Sequence, residues 1–137
     1  MEKVSKIIKS LRKFLLLQEW ELSFIMVEWT EEIWEMENAD YSRFQARLHF
    51  RKDYIENEPN EKVIELIMHE LCHIISMAPL QLFYDDTWNK DRIWQHSWTD
   101  MVNRMAFVNE QMNVKLTSIM MREYKMTKSY KKLLTKI

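Results

Sequence analysis

Two histidines, His69 and His73, stand four residues apart with Glu70 directly after the first, in the run His69-Glu70-Leu71-Cys72-His73. On a helix, residues four apart lie one turn above each other, so both imidazoles can reach a single ion. Glu70 is displaced by about 100° around the helix and does not compete as an in-line ligand. This HExxH pattern implies a bound Zn2+ with His69 and His73 as ligands. It casts Glu70 as the catalytic base: the cation acidifies a water, the carboxylate takes its proton as the oxygen attacks a carbonyl, and the leaving amine receives that proton.

The pattern would arise in roughly one shuffled sequence in a hundred of this composition, and its setting makes coincidence rarer. Pro59 suits a first helical turn, and a helical period runs from there to Ala78, before Pro79. Val63, Ile64, Ile67, Met68, Leu71, Ile74, Ile75 and Ala78 project onto one broad apolar face, with the two histidines opposite. From Leu66 through Tyr84 the only formally charged residue is Glu70, so the histidine face is expected to be covered by another element. A carboxylate and two imidazoles buried there cost several kcal/mol unless something such as a cation pairs with them. Cys72 reads as a small buried filler rather than a ligand.

The remaining elements follow from periodicity. Val4, Ile7, Ile8, Leu11, Leu15 and Leu16 predict an amphipathic helix over Val4 to Gln18. Trp20 to Glu28 and Tyr41 to Phe50 alternate as strands, with His49 on the polar face of the second; between them Trp29 to Asp40 holds no period and reads as an acidic loop. Leu80 to Asp91 reads as an aromatic-rich connection, followed by a long helix from about Arg92 to Tyr124 or beyond, with Val102, Met105, Ala106 and Val108 among its apolar positions. A length of 137 residues bounds the chain to one domain. The basic end, from about residue 125, reads as a solvated helix face or a frayed tail whose lysines could touch the phosphates of a nucleic acid.

Composition removes several classes of function. There is no glycine, so the phosphate-cradling loops of nucleotide-binding motifs are excluded and turns fall to Asn, Asp, Ser and Pro. A net charge of -1 predicts no bulk attraction to nucleic acid, although eight acidic and no basic residues lie between Glu19 and Asp40. The lone Cys72 and the lack of a signal peptide or a ~20-residue apolar run predict a cytoplasmic protein that does not enter a membrane.

From about Trp20 to Phe107 the chain resembles the small HExxH metallopeptidase-like proteins of bacteriophages and mobile elements, a minimal zincin. The likeness includes Trp20-Glu21-Leu22, Ala46-Arg47-Leu48, the stretch from Ile67 to His73, and Val102-Asn103-Arg104-Met105-Ala106. It implies an α+β zincin-like domain, with a small antiparallel or mixed sheet packed on the active-site helix between flanking helices. It also implies zinc and a peptidase-type site, at work in the cytoplasm of a bacterial host. The family pattern places a glutamate near the position of Thr99, but no Glu lies between Glu70 and Glu110 here. His96, Asp100 and Asn103 share one face of the second helix, and His96-Ser97-Trp98 resembles the third-histidine segment of SprT-like proteases. His96 is therefore the expected third ligand, with Asp100 as the alternative. Three readings follow: a zinc metallopeptidase acting on a protein or peptide, to which the strand Tyr41 to Phe50 offers an edge; a catalytically weak binding module of the same fold that captures a host protein; or a nucleic-acid-associated protease anchored by the basic C-terminal end.

Overall fold

The computed structural model describes residues 1–28, 34–41, 43–77 and 95–137, the side chains of 34–39 and 95–102 excepted. The elements run α1 (Glu2–Phe14), β1 (Glu21–Val27), β2 (Trp34–Asp40), β3 (Gln45–Arg51), α2 (Lys52–Asn57), α3 (Asn60–Ser76), α4 (Gln95–Lys125) and α5 (Lys128–Lys136). The architecture is α+β, with a mixed three-stranded sheet in the order β1-β3-β2. The expected aromatic connection, Leu80 to Asp91, lies outside the described residues.

The strand β3 is central, parallel to β1 and antiparallel to β2. It therefore has no free edge for a peptide, contrary to the expectation for Tyr41 to Phe50; the edges belong to β1 and β2. Its alternation does hold: Ala46, Leu48 and Phe50 are buried, while Gln45 and Arg47 face solvent. Leu22, Phe24 and Met26 of β1 sit in register beside them. The expected acidic loop is corrected over its second half, because Trp34 to Asp40 forms β2. A register shift between Met36 and Asn38 breaks the alternation there, which is why no two-residue period is visible.

The core lies between this sheet, α1 and α3. Val63, Ile64, Ile67, Met68 and Leu71 are fully buried on α3, and Val4, Ile7 and Leu11 on α1. Each such side chain contributes about 1.5–3 kcal/mol of gross transfer free energy. Ile75, assigned to the same face from its position, is instead 43% exposed near the helix end. The absence of glycine is met differently from expectation. Leu16 takes φ 58 and Phe44 φ 53, so bulky side chains occupy left-handed positions at a steric cost of about 1–2 kcal/mol each. At Leu16 the cost is offset by a closed helix end. Leu17 N–H donates to the Arg12 carbonyl at 2.9 Å and Leu16 N–H to that of Lys13 at 3.3 Å, the paired bonds of a Schellman motif.

The basic C-terminal end is neither frayed nor wholly solvated. Thr127 caps α5 by accepting from Tyr130 N–H at 3.2 Å, and Leu133 is 3% exposed. Before it, Tyr124 is fully buried, its ring 5.0 Å from Phe14 and its hydroxyl bonded to that of Ser10 on α1. Among the described residues no helix is long and apolar enough to cross a membrane.

Because α5 is packed, Leu133→Ala should lower unfolding stability by about 2–4 kcal/mol, read as a drop in the urea midpoint. An unchanged midpoint would return residues 128–137 to the status of a tail.

Candidate metal centre

The helix α3 carries two faces with different partners. Its apolar face enters the core, and the face bearing His69 and His73 meets α4, as the missing charge on that face implied. The covering residues come from one stripe of α4. Tyr124, Met121, Thr117 and Asn113 are all buried at steps of three and four, so the stripe turns from apolar to polar as it reaches the histidines. Glu110 is the next residue on that stripe.

Glu110 spans both imidazoles. Its Oε1 lies 2.9 Å from His69 Nε2 and its Oε2 lies 2.9 Å from His73 Nε2. The two rings stand edge to face with centroids 4.7 Å apart. Both are largely shielded, with side chains 11% and 12% exposed, whereas Glu110 is 50% exposed. It thus closes the site on its solvent side, beside a groove of about 380 Å³ lined in part by Tyr54, Lys62, Glu65, Leu66 and Val114.

Hydrogen bonds from α4 determine how His69 is presented. Thr117 Oγ1 lies 2.8 Å from the Asn113 carbonyl, to which it donates, and 3.3 Å from His69 Nδ1. Asn113 gives one amide proton to the His69 carbonyl at 3.1 Å and stands 3.4 Å from Nδ1. Its own amide oxygen accepts from Ser76 at 3.1 Å, and Asn109 donates to the Ser76 carbonyl at 2.7 Å. The network holds the His69 ring from its Nδ1 side and leaves Nε2 facing Glu110. Two imidazole nitrogens thus face one carboxylate at hydrogen-bond distance, an arrangement that a cation among them would strengthen.

Burial pushes His73 below the ordinary histidine pKa, the Glu110 carboxylate pulling it up and His69 pushing it down. The ring is thus favoured in the neutral form a metal requires. Its Nδ1 makes no hydrogen bond with the described residues. One ligand atom from each of His69, His73 and Glu110 can be chosen so that all lie within 4.8 Å of one another. A tetrahedral zinc site needs ligand atoms about 3.3 Å apart, a spacing that lies between the 2.9 Å of each histidine–Glu110 contact and the 4.8 Å outer bound of the three-atom group. By spacing and donor chemistry, these three residues fit a divalent cation.

The residues named from the sequence divide as follows. His69 and His73 come together, and Glu70, 1% exposed, is not part of the three-residue group. The side chains of His96 and Asp100 lie outside the described residues. Both positions are in the first two turns of α4, and Asp100 precedes Glu110 by ten residues, about 15 Å along a helix. Reading the stripe backward from Tyr124 would have singled out Glu110. Cys72 is a buried filler whose thiol is pushed up to about 11 by burial, with a hydrogen bond to Thr117 pulling the other way.

Comparison of the chain with family models, curated proteins and solved structures gives no match.

Two outcomes follow. Glu110→Ala should weaken zinc binding by about ten- to a hundred-fold or more, while His96→Ala and Asp100→Ala change it by less than about two-fold; competition with a chromogenic chelator measures this, and the reverse ranking would restore His96 or Asp100 as the third ligand. In the native protein at pH 8, a thiol held near 11 instead of 9.0 is about a hundred-fold poorer in thiolate. Iodoacetamide should therefore label Cys72 rapidly only after denaturation; fast native labelling would contradict its burial.

Proposed function

We propose that this chain is a zinc-dependent hydrolase of the peptidase class, with His69, His73 and Glu110 holding the ion and Glu70 as the base. The observation that carries the reading is the convergence of two histidine Nε2 atoms on one carboxylate, 2.9 Å from each. Imidazole and carboxylate donors suit zinc among the common divalent ions. An HExxH helix packed beside a mixed sheet, with a glutamate from a later helix facing both histidines, supports the resemblance to a minimal zincin; the binding module shares that fold and differs from the hydrolase in turnover alone.

The bound cation would supply Lewis acidity, polarising a substrate carbonyl and acidifying the attacking water. The chain's own residues do the rest. Thr117 and Asn113 fix the orientation of the His69 ring, so the donor atom is in place before any ligand arrives. Glu70, 1% exposed, is held away from bulk solvent; it takes a proton from the attacking water and returns it to the leaving amine. The groove beside Glu110 mixes apolar Leu66 and Val114 with polar Tyr54, Lys62 and Glu65, walls that accommodate a peptide.

Glu70→Gln should retain about one zinc per chain and lose cleavage of a mixed peptide library by about 10²–10⁴-fold, with cleavage followed by mass spectrometry. Zinc-loaded wild type that cleaves nothing would favour the binding module, and a Glu70→Gln variant as active as wild type would remove Glu70 from the reaction.

A further inference from the structure

The lysines of α1 and α5 form a second feature, one that shares no residue with the groove at Glu110. Lys6, Lys9 and Lys13 lie on one face of α1 at steps of three and four, and Lys132 and Lys136 lie one turn apart on α5. The two helices pack together, with Lys6 Nζ donating to the Lys136 carbonyl at 3.1 Å. The rows therefore face a common groove of about 600 Å³, floored by Leu133 and edged by the exposed hydroxyl of Ser129.

We infer that this groove binds a small, multiply charged phosphate compound. Among the described residues, only Glu2 offers a carboxylate to these five lysines, and it pairs with Lys6 at 2.6 Å. Lys9, Lys13, Lys132 and Lys136 have no ion pair among those residues, in a chain whose net charge is -1. The concentration of cations is thus a matter of placement and not of composition. Like charges at neighbouring helical positions repel, and packing α5 on α1 brings two such rows together. A polyanion in the groove turns that repulsion into attraction.

The lining narrows the class of anion. Neither arginine nor an aromatic ring lines the groove, so the planar fork and the stacking platform that recognise nucleotides and single strands are missing. Lysine ammoniums are mobile point charges suited to several phosphate groups at once. The volume is that of a small-molecule site, and the lone apolar lining residue, Leu133, is 3% exposed and offers nothing to a membrane. The inference does not depend on the metal centre.

The test is titration of the full chain, stripped of metal and dialysed, with inorganic tripolyphosphate at low salt, followed by calorimetry and amide NMR shifts. The expected result is one site per chain, shifts centred on Lys9, Lys13 and Lys132, and affinity falling as salt is raised. Lys9→Gln combined with Lys132→Gln should weaken binding by about ten-fold or more, the corresponding Arg pair should retain it, and Lys115→Gln on α4 should change it less than about two-fold. Mapping by NMR on the wild-type protein locates the site without relying on the folding of any variant. The inference is overturned by absence of binding at low salt, by shifts elsewhere, or by equal losses in the Lys115→Gln control. It is equally overturned if a single-stranded oligonucleotide or anionic vesicles bind where tripolyphosphate does not.

Discussion

Two imidazole nitrogens meet one carboxylate at 2.9 Å each, a cluster that a cation would draw together, and the packing of α3 on α4 is arranged around it. The helix α3 could bury its apolar face with any partner for the other side. What specifies this partner is the polar seam: Thr117 and Asn113 on the His69 ring and carbonyl, Ser76 on Asn113, and Asn109 on the Ser76 carbonyl. A seam of this kind is costly when half satisfied and specifying when complete. With a cation at its open end, the carboxylate of Glu110 and both imidazoles find compatible partners at once.

The helix α4 connects this seam to the rest of the molecule. Its covering stripe begins with the half-exposed Glu110, passes through the buried Asn113 and Thr117, and continues into the core with Met121 and Tyr124. Tyr124 reaches Ser10 on α1, and the Thr127 cap then turns the chain so that α5 lies along the same helix. The turn that carries Glu110 and the lysine groove are thus built on one continuous scaffold. Rigid helical elements, rather than loops, set the relative positions of His69, His73 and Glu110, which favours a preorganised site.

The degree to which this was legible from the sequence depended on whether the signal was local. The HExxH spacing, the apolar face of α3 and the alternation of β3 are each contained within a few residues, and each is found among the described residues, except that Ile75 at the end of the α3 face is exposed. The covering of the histidine face was foreseeable from missing charge alone. Glu110 was not identified, because no local pattern marks it and the third partner of two residues one turn apart can lie anywhere along a covering helix. The strand β2 escaped because its bulge at Met36 to Asn38 erases the two-residue period. The packed α5 escaped because a lysine-rich segment with one buried leucine, Leu133, resembles a tail until Tyr124 and Thr127 are seen to aim it at α1. The left-handed Leu16 and Phe44 run against the preferences of their side chains, so no reading of propensity could place them.

Anomalous diffraction at the zinc edge, from crystals of the protein grown with zinc, tests the central claim most directly. The account predicts one strong peak about 2.0–2.2 Å from His69 Nε2, His73 Nε2 and a Glu110 carboxylate oxygen, with His69 Nδ1 still bonded to Thr117. A peak held by other residues, or none between the two histidines and Glu110, would contradict it.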